Sequence, residues 1–153
     1  MRLWHYKLIP YLPDKQLRGQ WRECHLIAKG LKEGTLNHCI VNRVKNYPIA
    51  HFLRYCQFVA AEMQRRGYKG GWFDILRMFE SEDRIGAIKV QNDELFAGWH
   101  NLRYLIQCYM NLEEKYDCGA ISEEEFMRVA TGYERAVNEN AFAVAQVRQL
   151  PKK

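Results

Sequence analysis

No run of apolar residues in this 153-residue chain approaches the roughly 18 needed to cross a bilayer, and mean hydropathy is −0.46. A membrane-spanning helix is therefore excluded, and no membrane partner is expected. The first residues, Met1-Arg2-Leu3-Trp4-His5-Tyr6-Lys7, carry charge without an apolar stretch behind them. A signal peptide is not expected, and the cytoplasm is the expected location. Prolines number only four, three of them (Pro10, Pro13 and Pro48) in the first third. No repeat, low-complexity tract or Pro/Gly/Ser linker divides the chain, so one domain over 1–153 is expected, basic over 1–70 and acidic over 71–153. The motifs G-x-S-x-G, G-x-x-x-x-G-K-[ST] and H-E-x-x-H are all missing, which removes the common hydrolase, P-loop and zincin readings.

Cysteine is present but poorly arranged for cross-linking. Cys24, Cys39, Cys56, Cys108 and Cys118 are odd in number and contain no Cys-x-x-Cys pair. Reduced thiols in a reducing compartment fit this better than a disulfide framework. The doublets Cys24-His25 and His38-Cys39 carry metal-type donors. Adjacent residues on a helix point about 100° apart, however, and seldom converge on one ion. The histidines (His5, His25, His38, His51 and His100) show no ligand spacing either. No metal and no cofactor are expected.

Acid is scarce in one half of the chain only. Residues 1–70 contain 13 Lys and Arg against four acids (Asp14, Glu23, Glu33 and Glu62), a net of +9. Residues 71–153 contain 10 against 14, a net of −4. Such asymmetry points to a basic face from the first half and a polyanion as its partner. Nucleic acid is the commonest polyanion. A solvated charged surface accounts for the counts equally well, and the remaining reading is an interaction protein that uses its acidic later helices.

Hydrophobic residues make up 48% and charged residues 27%, a globular balance. No segment alternates apolar and polar residues as a half-buried strand does. The spacing predicts an all-α fold of five or six helices. The first starts near Asp14, whose carboxylate suits the orphan amides of a first turn. Leu17, Trp21, Cys24, Ala28 and Leu31 are its buried stripe, and Gly34 ends it. Residues 36–45 read as a short helix or an irregular segment. A second helix follows Pro48, with Ile49, Phe52, Leu53, Cys56, Val59, Ala60 and Met63 as its apolar face, closed by Arg65-Arg66-Gly67. A short helix is expected over Phe73–Glu80, with Gly70-Gly71 and Gly86 as turns. A long one is expected from Asp93 to Asp117, with Phe96, Trp99, Leu102, Leu105, Ile106, Tyr109 and Leu112 as its stripe. The last opens with a capping box, Ser122 to Glu125, and runs to about Val147. Gly132 inside it marks a kink or a close approach.

The pattern richest in chemistry is Arg22-Glu23. Glu23 is the only acid between Asp14 and Glu33, on a helix carrying Arg18, Arg22 and Lys29. It reads either as a surface ion pair, worth about 0–1 kcal/mol, or as a catalytic carboxylate facing a phosphate backbone. Position alone leaves both open.

Three segments carry a resemblance. They are Met1-Arg2-Leu3-Trp4-His5, then Leu8-Ile9-Pro10-Tyr11-Leu12-Pro13, then Gln16-Leu17-Arg18-Gly19-Gln20-Trp21-Arg22-Glu23-Cys24. Together they resemble the start of the pyrimidine-dimer DNA glycosylase family, also called endonuclease V-like, and its bacterial branch most of all. That branch has a His where this chain has Trp21. Further on, His38 falls where the family has a His, and Phe52-Leu53-Arg54 to Arg65-Arg66-Gly67-Tyr68 is similar to a family helix. His100 aligns with a later family His. The resemblance is good over 1–70 and loose over 71–153.

What the resemblance implies is an all-helical glycosylase with abasic-site lyase activity. Its nucleophile is the α-amine of the first mature residue. Arg2 is bulky, so retention of Met1 is expected, and Met1 carries that amine here. An α-amine titrates near 7.7–8.0 in peptides and is partly neutral at pH 7, unlike a lysine. The resemblance makes Glu23 the proton-transfer group and Arg22 its catalytic neighbour, with Arg2, Lys15, Arg18, Arg22 and Lys29 holding DNA. The expected partner is double-stranded DNA with a damaged or abasic nucleotide, bound by a monomer. A non-catalytic helical DNA-binding protein on the same scaffold is the alternative. Since a base in the stack is out of reach, a nucleotide must be extruded; Trp4, Tyr11 and Trp21 read either as the wedge or as core. The enzyme that typifies the family has a His in place of Gln16, an Arg in place of Leu26, and an aromatic and basic tail where this chain ends Gln149-Leu150-Pro151-Lys152-Lys153. These departures put dimer specificity in doubt.

Overall fold

A computed structural model describes the backbone of residues 1–149 and the side chains of residues 1–141. The tail over 150–153, where the chain end departs from the family's, lies outside the described residues. Six α-helices are present among them: α1 (Asp14–Glu33), α2 (Ile49–Arg65), α3 (Trp72–Leu76), α4 (Ser81–Lys89), α5 (Leu102–Asp117) and α6 (Glu123–Gln149). Short 3-10 turns cover Tyr6–Tyr11, Val41–Asn46 and Asn92–Glu94, and no strand occurs among the described residues. The fold is all-α, as the periodicity predicts. No helix of the described residues is long and apolar enough to cross a membrane.

Helix α2 lies at the centre. It buries Phe52, Leu53, Tyr55, Cys56, Val59, Ala60 and Met63, so that most of its circumference meets protein. α1, α3 and α4 pack around it, and α6 packs on α5 and on the turn Tyr6–Tyr11. The α1 stripe falls as its spacing requires, with Leu17, Trp21, Cys24 and Ala28 buried and Gly34 left-handed at the cap. The capping box at α6 also forms. Glu125 N–H donates to Ser122 Oγ, and Ser122 N–H donates to the Glu125 carboxylate, both at 3.2 Å.

Four local expectations fail. Asp14 does not cap α1. Its carboxylate instead takes Arg66 Nη1 at 2.7 Å and the Tyr68 hydroxyl at 2.8 Å. Arg66 also donates to the carbonyls of Leu12 and Pro10 and to Glu62, so it fastens the end of α2 to the start of α1. Gly86 is inside α4 rather than in a turn, and a Cβ there would stand 3.2 Å from Ala50 Cβ. The missing side chain lets α4 approach α2 closely.

The region around Phe73–Glu80 also divides differently: α3 stops at Leu76 and α4 starts at Ser81. The long helix from Asp93 breaks as well. Phe96, fully buried, has φ 51° and Gly98 has φ 85°. The chain reverses there, and α5 starts only at Leu102, capped by Asn101 Oδ1 accepting from Tyr104 N–H at 3.0 Å. A non-glycine left-handed residue costs about 1–2 kcal/mol; burial of the Phe96 ring and a bond from its N–H to His51 Nδ1 at 3.1 Å offset it. The shift in start rotates the stripe, and Leu102 and Ile106 are exposed rather than buried.

Candidate functional site

The first five residues form an extended segment driven into the core, not a loose end. Leu3 and His5 are buried, and Trp4 is 7% exposed. An extended strand with no neighbouring strand leaves its backbone groups without partners, and burying them unpaired costs about 1–3 kcal/mol each. Side chains from three helices and one loop supply the partners. Glu23 Oε2 accepts from Arg2 N–H at 3.1 Å, and Gln20 Oε1 accepts from Trp4 N–H at 2.9 Å. The Tyr104 hydroxyl donates to Leu3 O at 2.7 Å and the Tyr55 hydroxyl to Trp4 O at 2.8 Å. His100 Nδ1 accepts from Tyr6 N–H at 3.2 Å.

Two buried imidazoles close this end of the segment. His5 Nε2–H donates to His100 O at 2.9 Å, leaving His5 Nδ1 to accept from Lys7 N–H at 3.3 Å. Their rings stack with centroids 5.1 Å apart. Both are therefore neutral. Burial pulls His5 down to about 4, with the bond to His100 O opposing and Lys7 assisting. Burial, then the proximity of His5, holds His100 well below the ordinary imidazole range.

The chain start is thus held beside Glu23. No ion pair within 4.0 Å joins the carboxylate to any cation among the described residues, the Met1 amine included. The surface-ion-pair reading of Glu23 fails on this point. The carboxylate is half-buried and spent on one backbone N–H. Backbone bond lengths put the Met1 amine within about 7 Å of it.

Two cavities flank this start. Met1, 42% exposed, lines one of about 350 Å³ together with Leu26, Lys29 and His38. That cavity is mixed in charge, since Glu33 also lines it and pairs with Lys29 at 3.9 Å. Arg2 lines the other, of about 450 Å³, with Arg43 and Tyr104. Its guanidinium lies 5.6 Å from the Trp4 ring centroid, a cation–π distance.

Lys15, Arg18, Arg22 and Lys29 stand at three-, four- and seven-residue steps on α1 and are all exposed. They form one outward face, and its far end reaches the Met1 cavity through Lys29. Arg18 lies 5.5 Å over the Tyr68 ring. Trp4 and Trp21 are core, and Tyr11 is half-buried against α6. None of the three is free to act as a wedge. Gln20, Tyr55 and Tyr104 were not legible as site residues. Gln20 did carry a signal, because it is a polar residue inside the buried stripe between Leu17 and Cys24.

The family model for pyrimidine dimer DNA glycosylase matches residues 1–76. The first half of this chain belongs to the pyrimidine dimer DNA glycosylase family. No curated protein and no solved structure matches significantly. The match ends with α3, so the pyrimidine dimer glycosylase part contributes Met1, Arg2, Gln20, Glu23 and Tyr55. His100 and Tyr104, which hold the same segment, come from the half outside it. The match supports a DNA glycosylase of the repair type in general, with DNA as the substrate class.

Proposed function

We propose that the protein is a DNA glycosylase with abasic-site lyase activity, in which the Met1 α-amine is the nucleophile and Glu23 the proton-transfer group. The observation that supports it most is the bond from Arg2 N–H to Glu23, which ties the chain start to the α1 carboxylate next in sequence to Arg22. A nucleophilic terminus needs a fixed position, and the five bonds along Arg2–Tyr6 supply it.

The neutral amine attacks C1′ of an extruded nucleotide. A C1′–N bond forms, the glycosidic bond breaks, and the base leaves with that electron pair and a proton. Glu23, as a carboxylate, stabilises the positive charge developing at the sugar and helps the ring open. The product is a Schiff base. Loss of a proton from C2′ then expels the 3′ phosphate in a β-elimination, and water later releases the amine. Arg22, exposed and unpaired beside Glu23, holds a phosphate of the same strand, and the α1 face of Lys15, Arg18 and Lys29 extends that contact.

Borohydride trapping on abasic duplex DNA tests this. Wild-type protein forms a covalent adduct. Glu23→Gln loses strand cleavage by about 10²- to 10⁴-fold while keeping or raising DNA affinity, since a negative charge is gone. Acetylation confined to the amino terminus stops trapping. Full activity in the acetylated sample overturns Met1 as the nucleophile. DNA binding without any adduct favours the non-catalytic alternative.

A further inference from the structure

We propose that a groove between the turn Val41–Asn46 and the start of α5 binds a phosphodiester strand, with Arg43 and Arg103 as its phosphate ligands. This rests on the DNA glycosylase reading and gives the interface a second arm, apart from α1.

Two adjoining cavities of about 420 and 450 Å³ share Arg43, Tyr104 and Gln107. Together they form one continuous trough. No acid lines either one. That is a departure from its surroundings, because the half that supplies Arg103 carries 14 acids. Arg2, Arg43 and Arg103 all face the trough, and none has an ion-pair partner among the described residues. Arg43 and Arg103 are exposed. Three guanidiniums gathered without counter-charge repel one another, and an anion relieves that repulsion. The planar fork of Arg matches phosphate oxygens in pairs.

The trough has the other components of a strand site as well. Half-buried Tyr47 contributes aromatic wall, suited to stacking a base. Trp99 is 4% exposed, and its Nε1–H, at the trough wall, has no partner among the described residues. The first turn of the 16-residue α5 also borders the trough, adding the positive end of a helix dipole. Finally, Arg2 belongs to the trough while Met1 belongs to the cavity at the end of α1. The chain start is the joint between the two surfaces. A strand reacting at Met1 passes Arg2 and then meets Arg43 and Arg103.

The test is a salt titration of binding to a fluorescent abasic duplex, with Arg43→Gln/Arg103→Gln against wild type and against Arg77→Gln/Arg84→Gln. The control pair removes two exposed cations, Arg77 from the junction of α3 and α4 and Arg84 from α4. Arg43→Gln/Arg103→Gln is expected to weaken binding by at least about tenfold at constant salt. Its slope of log K against log salt is expected to fall by about 1.8, or 0.9 per phosphate. The control keeps the wild-type slope. An unchanged slope in Arg43→Gln/Arg103→Gln, or an equal loss in the control, overturns the groove while leaving the glycosylase reading in place. Failure of wild-type protein to bind the duplex overturns the reading beneath it.

Discussion

Tyr104 donates its hydroxyl hydrogen to the carbonyl of Leu3 at 2.7 Å, joining two residues 101 positions apart. Tyr55 does the same for Trp4 at 2.8 Å. Tyr104→Phe and Tyr55→Phe each leave a buried carbonyl unpaired, at a cost of about 1–3 kcal/mol. In a chain of this length about 1 kcal/mol lowers the melting temperature by roughly 2–4 °C. If the proposed chemistry holds, the rate of borohydride trapping should fall in both, because the amine loses its fixed position. Unchanged melting in both variants would show that these hydroxyls do not hold the segment.

The stacked His5 and His100 predict a pH dependence of stability. Their folded values lie below the unfolded value near 6.5, so the unfolded chain binds more protons as the solution turns acid. Stability is therefore complete above about pH 6.5 and falls as pH drops toward the His5 value of about 4. The loss from His5 is on the order of 3 kcal/mol. Asp14 and Glu62 act lower. Arg66 and Tyr68 lower the Asp14 carboxyl; burial pushes Glu62 up, but Arg65 and Arg66 outweigh it. Their contributions disappear below the ordinary carboxylate range. Urea titrations from pH 7 to 4 measure the effect. His5→Asn and His100→Asn should be less stable at pH 7 and flatter over that window; an equally steep decline in both would assign it to other groups.

Glycine at 132 and at 19 should respond to alanine with opposite signs. A Cβ on Gly132 would stand 2.3 Å from Tyr11 Cδ2 and Cγ, whereas one on Gly19 meets nothing within 4 Å. Both are helical, so alanine gains up to about 1 kcal/mol of propensity at each. At Gly132 the displaced Tyr11 ring costs about 1–3 kcal/mol and puts strain on the bond from Arg135 to the Tyr11 hydroxyl. Thermal denaturation should show Gly19→Ala raised and Gly132→Ala lowered. A stabilised Gly132→Ala would mean that α6 shifts freely away from the turn Tyr6–Tyr11.

Arg22→Ala should weaken DNA binding and flatten its salt slope by about one phosphate contact. Arg22 is exposed and makes no ion pair among the described residues, so folding stability should stay within about 0.5 kcal/mol. A salt slope equal to wild type would remove Arg22 from the interface.

Helical class, the buried stripes of α1 and α2 and the capping box at Ser122 were all determined by the sequence alone. Each depends on residues three or four apart, whose relation any helix imposes. The basic face of α1 was legible for the same reason, and so was the family, which the first 24 residues carry. Tertiary structure alone decided the rest. Phe96 in a left-handed conformation, Gly86 against Ala50, and Asp14 taken by Arg66 each answer to a neighbour far along the chain. The same holds for the fixing of Met1. Tyr55, His100 and Tyr104 reach Arg2–Tyr6 only because the core brings α2 and the start of α5 to it. Spacing along a chain records contacts within one helix; a contact between helices leaves no period to read.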